Sequence, residues 1–150
     1  MIFIPLSSSC IRKPTEMHSK YQQANVLSRE AIGAAIEVHR HKGPGLLESI
    51  YEKCLVRELQ IRKIEARQQV PVEIEYKGLI FDEELKLDVV VANCLILELK
   101  VVKEILPLHK AQLLSYMKLL DMPLGLLINF HERKLVDGIS RMILPGADQP

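Results

Sequence analysis

The stretch LKLDVVVANCLILELK, residues 85–100, carries Asp88, Glu98 and Lys100 inside runs that are otherwise aliphatic. Residues two apart on a strand point to one face, so Glu98 and Lys100 share a face with side-chain origins roughly 6–7 Å apart. A short turn at Ala92–Asn93 pairs residues whose numbers sum to about 185 or 186, which sets Asp88 opposite position 97 or 98. Two carboxylates side by side in an apolar setting repel and lose hydration, at a cost of several kcal/mol unless compensated. A hard divalent cation is the usual compensation, because carboxylate oxygens are its preferred ligands. A nearby ammonium can orient an attacking water or stabilise charge developing on a phosphate. Asp, then Glu-x-Lys on the next strand, is therefore the layout of magnesium-dependent phosphodiester cleavage. The competing reading is an ion pair between Lys100 and a carboxylate at the end of the sheet. Glu-x-Lys alone carries almost no information; the apolar surroundings and the upstream Asp favour the metal.

Three further groups join them. Gln112 and Tyr116 are four apart on a predicted helix, with His109 three before Gln112, so all three share one face. Directed at a carboxylate site, Gln112 and Tyr116 would bind a phosphate or hold the lysine; taken alone, the same spacing describes a solvated helix face. Glu48 and Tyr51 project from one face near the first turn of another predicted helix.

The elements that must position these residues follow from periodicity. Apolar positions Leu27, Ala31, Ile32, Ala35, Ile36 and Val38 predict a helix from Val26 to about His41, with Ser28 as candidate N-cap. The Gly-Pro-Gly at 43–45 ends it, and a second helix is expected from about Leu46 to Lys63. QVPVEIEY alternates as a half-buried strand, Lys77–Gly78 supplies a turn, and strands from about Glu84 to Val91 and Cys94 to Val102 complete an antiparallel meander. Pro107 opens a third helix running to about Asp121. PLGLLINF reads as a strand in the sheet interior, and KLVDGISRMIL as either a short edge strand or a helix turn. The expected fold class is α/β: a small mixed sheet, three meander strands plus a further strand, flanked by helices.

The 150 residues suit one domain, and 48% hydrophobic against 5% aromatic content predicts an aliphatic core. A net charge of +1 removes any global electrostatic signal for nucleic acid, leaving only a local basic groove. Cys10, Cys54 and Cys94 are scattered and odd in number, which suggests reduced thiols, a cytoplasmic location and no cysteine-bound zinc. No apolar run reaches membrane-spanning length. The segment MIFIPLSSSCIRKPTEM makes a poor secretory signal, and Met17 offers an alternative start to Met1. Residues 1–24 are expected to be a disordered lead-in, 25–144 a single domain and 145–150 a disordered tail.

The segment GLLESIY, Gly45 to Tyr51, matches the motif that names the GxxExxY family. The resemblance continues through IGAAIEVHRHKGPGLLES, RQQVPVEIEYKG, LDVVV, ILELK, LPLHKAQLLSYMKL and LGLLINF, from about Ser28 to Leu144. That family is similar to the PD-(D/E)XK nuclease superfamily, which implies a restriction-endonuclease-like core. The resemblance matches Asp88 to the superfamily's metal-binding Asp, and Glu98 and Lys100 to its (D/E)XK pair. It matches Glu48 to the acidic residue of the first core helix, and Gln112 and Tyr116 to a Gln-x-x-x-Tyr element. Leu87, not proline, precedes Asp88.

Together these readings predict a Mg²⁺- or Mn²⁺-dependent nuclease acting on DNA or RNA. Asp88, Glu98 and the Leu99 backbone carbonyl would bind the metal, with Glu48 as a further ligand. Lys100 would position or activate water, and Gln112 and Tyr116 would contact substrate or brace the site. The alternative is a catalytically silent nuclease-fold module that binds a protein partner or a second copy of itself. Other motifs carry less. His39 and His41 fall on different helix faces, which argues against joint chelation; no phosphate-cradling loop or nucleophile elbow is present. Arg57, Arg62, Lys63 and Arg67 either solvate the second helix or touch a nucleic-acid backbone.

Overall fold

The computed structural model describes residues 16–150; the expected lead-in lies largely outside them. Helix α1 spans Tyr21–Lys42 and α2 spans Glu48–Ile61. Strand β1 (Ala66–Val72) is followed by a two-stranded hairpin, β2 (Glu75–Tyr76) and β3 (Leu79–Ile80). Next come β4 (Leu85–Val91), β5 (Leu95–Lys100), α3 (Pro107–Leu120) and β6 (Leu124–Asn129). A 3-10 turn, Leu135–Gly138, leads into β7 (Ile139–Ile143).

The main sheet has five strands in the order β1-β4-β5-β6-β7, with β5–β6 parallel and every other pair antiparallel. The expected mixed α/β sheet with flanking helices is what forms. Leu95, Leu97 and Leu99 of β5 pack with α1 and α2, while Ile96 packs with Leu113 and Met117 of α3. Alternation along β5 thus builds two cores from one strand. All six residues of β6 are buried, as its continuous apolar run requires for an interior strand. The ambiguous C-terminal segment resolves into both readings at once, the 3-10 turn and an edge strand.

Local expectations shift in four places. Helix α1 begins at Tyr21, five residues earlier than Val26, and Ser28 is no cap: it is buried inside the helix and its hydroxyl donates to the Asn25 carbonyl at 2.7 Å. Serine satisfies its own hydroxyl that way when tertiary packing extends a helix past it. The strand expected to reach Tyr76 stops at Val72, and Tyr76 pairs with Leu79 in the separate hairpin. The Lys77–Gly78 turn takes φ of 48° and 86°, the left-handed pair a two-residue hairpin needs. His18, within the expected lead-in, is buried, and its N–H donates to the carbonyl of Ala147 at 2.9 Å. Ala147 itself, within the expected tail, is fully buried against the α3 side of the sheet.

Candidate active site

The register of β4 and β5 decides what the charged residues do. Val89 pairs with Leu97, Val90 with Ile96 and Val91 with Leu95, a constant sum of 186 set by the turn at Ala92 (φ 48°) and Asn93 (φ 54°). One more step would pair Asp88 with Glu98, but there the ladder stops and the carboxylates take over. The Asp88 N–H donates to Glu98 Oε1 at 3.2 Å, and the Leu99 N–H donates to Asp88 Oδ2 at 2.8 Å. The two strands part, and their free backbone donors are satisfied by acids. The Leu99 carbonyl points to the same side as its N–H, into this gap, because both groups of a strand residue face one neighbour.

Burial pushes the Glu98 carboxyl up to about 8, with Asp88 adding to the rise; the Asp88 N–H bond and Lys100 act against it. Glu48, half-buried at the start of α2, is raised by burial first and then by Asp88, with Lys100 opposing. Tyr116 is raised by burial, then by Glu98 and Asp88. Glu48, Asp88, Glu98, Lys100 and Tyr116 therefore share one electrostatic neighbourhood, drawn from two helices and two strands. Gln112 is exposed and makes no hydrogen bond to a described residue. His109 faces its own helix: its Nδ1 accepts the Leu106 N–H at 3.0 Å and caps α3. Lys100 has no ion pair within 4.0 Å to a described carboxylate, unlike the structural-pair reading.

Two supports hold this arrangement. Tyr51 is fully buried, stacked on Phe130 at 4.5 Å; its hydroxyl donates to the Gly43 carbonyl and accepts the Leu46 N–H at 3.1 Å. Gly43 (φ 65°) and Gly45 (φ 104°) give the turn its left-handed backbone, and Tyr51 pins it, fixing where Glu48 starts α2. Tyr51→Phe is expected to lower stability by about 1 kcal/mol in urea denaturation, because two half-buried backbone groups lose their partner; an unchanged midpoint would contradict this anchoring.

The second support is Asn129, which sequence reasoning missed. It is fully buried and brackets Val102: Nδ2 donates to the Val102 carbonyl at 2.8 Å, and Oδ1 accepts the Val102 N–H at 3.1 Å. The Lys100 carbonyl accepts the Phe130 N–H at 2.9 Å, so the chain on both sides of the lysine head is fixed. A lone amide closing the apolar run LGLLIN was the available signal.

Glu52 was also missed. It is 5% exposed, and its carboxylate accepts from Gln69 at 3.0 and 2.9 Å and from Gln68 at 3.4 Å. Burial raises its carboxyl, the Gln69 bonds lower it, and Asp88 raises it again. Of the basic residues considered for nucleic-acid contact, Arg62 bridges Glu58 at 3.1 Å and Glu30 at 3.7 Å, and Arg67 donates to Asn93 at 2.6 Å. A cavity of about 310 Å³ between α1 and α2, lined by Val38, Cys54 and Arg57 among others, includes none of the site residues.

The donor set can be tested against a hard cation. Among the described residues, no three Asp, Glu, His or Cys side chains converge as a ready-made cage. Asp88 and Glu98 nonetheless lie side by side, with Asp88 raising the Glu98 carboxyl by its charge and by a side-chain hydrogen bond, beside a backbone carbonyl. Mg²⁺ is commonly held by one or two carboxylates, with waters and substrate phosphate completing its octahedron. The residues fit that mode.

An α/β/α sandwich whose central strands part around an Asp and a Glu-x-Lys is a nuclease-superfamily architecture. A model of the PD-(D/E)XK nuclease superfamily matches residues 25–142, and the chain belongs to that superfamily. A comparison with curated proteins found no match. Among solved structures the chain is similar to that of SSO0001, at 20% identity and a TM-score of 0.45, over 88% of this chain; it spans 59% of that protein's length. Among the described residues, no helix is long and apolar enough to cross a membrane.

Proposed function

We propose that the chain is a Mg²⁺- or Mn²⁺-dependent nuclease of the GxxExxY group, hydrolysing phosphodiester bonds in DNA or RNA. The observation that carries this reading is the crosswise bonding of Asp88 and Glu98 where β4 and β5 part, with Lys100 two residues on and bound in no ion pair to a described residue. Asp88, Glu98 and the Leu99 carbonyl hold the cation, with Glu48 adding a carboxylate from α2. Bound there, the cation supplies Lewis-acid polarisation and charge neutralisation at the phosphate. Lys100 orients the attacking water and stabilises negative charge that develops on phosphate oxygens. Tyr116 keeps its proton well past neutral pH, because burial and the neighbouring carboxylates disfavour phenolate, so it remains a donor toward substrate. Gln112, one turn away on the exposed side of α3, contacts the flanking nucleic acid. The free thiols of Cys54 and Cys94 support a cytoplasmic setting.

The test is calorimetric titration of Mn²⁺ into wild type and into Asp88→Asn/Glu98→Gln, each with and without a short oligonucleotide. Binding by the wild type that vanishes in the double variant is the expected result. No binding by wild type under either condition would overturn the metal centre and leave a silent nuclease-fold module, docked on a protein partner or a second copy.

A further inference from the structure

Gln69 is a non-glycine residue at φ 51° in the middle of strand β1. The β1–β4 register keeps a constant sum of 157 on both sides of it, so Gln69 lies opposite Asp88. Side-chain alternation breaks at this row. In β1, Ala66 packs with the α1/α2 core, whereas Val70 and Val72 pack with the α3 core, although all three are even-numbered. In β4 the odd residues switch likewise: Leu85 and Leu87 belong to the α3 side, Val89 and Val91 to the α1/α2 side. Neighbouring residues of a regular strand point to opposite faces, yet Gln68 and Gln69 both donate to the one Glu52 carboxylate on α2. Strained backbone of this kind persists only where surrounding structure enforces it, and here the enforcing group is a buried carboxylate bonded to the strained residue.

We propose that Glu52 is a positioning residue: through Gln69 it holds the strand reversal that places Asp88 between the two helix layers. Asp88 then lies within electrostatic reach of Glu48 on α2 and of Glu98 and Tyr116 on the α3 side. Without the reversal, strand alternation would give Asp88 to one layer only. The functional consequence rests on the metal-centre reading above; the reversal itself rests on hydrogen bonds and packing alone.

The experiment combines Mn²⁺ calorimetry with amide NMR of Asp88 and Leu99, whose N–H groups donate to the two carboxylates. It uses the full chain as wild type, Glu52→Ala and Glu52→Ala/Gln69→Gly. Glu52→Ala is expected to weaken Mn²⁺ binding about 10-fold or more, the range for residues that orient a ligand, and to shift both amide resonances. Glycine adopts positive φ without a clamp, so the double variant recovers most of the affinity and of the amide positions, although Glu52 is still missing. A merely structural Glu52 would show no such recovery. Unchanged amides and affinity in Glu52→Ala, or a double variant no better than it, overturn the proposal. Should Glu52→Ala fail to fold, Glu52→Gln, which keeps one acceptor oxygen, carries the same comparison with a smaller loss. A wild type that binds no Mn²⁺ while Glu52→Ala still moves the amides would sink the metal reading and keep the positioning role.

Discussion

Asp88→Asn, Glu98→Gln and Lys100→Met are each expected to slow Mg²⁺- or Mn²⁺-supported cleavage of DNA or RNA by on the order of 10²–10³-fold, with the fold intact. That is the usual cost of removing one preorganised charge that stabilises a transition state. The fold survives for a local reason at each position. An Asn amide oxygen still accepts the Leu99 N–H that Asp88 Oδ2 accepts at 2.8 Å. A Gln oxygen still accepts the Asp88 N–H now held by Glu98 at 3.2 Å. Methionine keeps the aliphatic stem of Lys100, and no ion pair with a described residue is lost. Single-turnover cleavage of labelled oligonucleotides, with circular dichroism on the same samples, reads both halves of this expectation. Wild-type rates in all three variants would rule out the proposed centre.

The second large effect is on stability against pH, measured without metal. Glu98 is buried and its carboxyl is pushed from 4.5 up to about 8. Between those values the folded chain holds a proton that the unfolded chain has lost, so stability falls as pH rises through the interval. The contribution is fully present below about pH 4.5 and gone above about pH 8. Glu98→Gln removes the titrating group while retaining an acceptor, so it should flatten the Glu98 part of the profile. It should also stabilise the metal-free protein at pH 8 by on the order of 3 kcal/mol. Urea unfolding at pH 5 and pH 8 measures this. If wild type and Glu98→Gln keep the same difference at both pH values, Glu98 is ionised in the folded chain throughout. If the proposed centre holds a divalent cation, adding it should reverse the sign for wild type alone, since ligands that bind only the folded state stabilise it.

Much of this centre was legible in the sequence because strand geometry is local. Two-residue alternation put Glu98 and Lys100 on one face, and the Ala92–Asn93 turn set the register that brings Asp88 beside Glu98. The sandwich was legible for a similar reason: the apolar periods of α1, α2 and α3 and the uninterrupted run of β6 each declare how many faces must be buried. Glu52 was not legible. A glutamate between Tyr51 and Lys53 looks like any solvated helix charge, and its burial depends on two glutamines of a strand that follows. Ser28 misled because capping preference is a local tendency that packing against the sheet overrode. His18 and Ala147, at opposite ends of the described chain, hold each other in place through contacts that neither segment predicts alone.

The sequence by itself therefore determined which residues are the candidates for the chemistry and, to within one residue, the pairing that sets Asp88 against Glu98, since period and turn length act over a few residues. Only the tertiary structure decided that Asp88 serves both helix layers. The strained Gln69, the buried Glu52 that holds it and the Asn129 bracket behind Lys100 are each satisfied by groups far along the chain. Their energies exist only once the sheet and helices have packed.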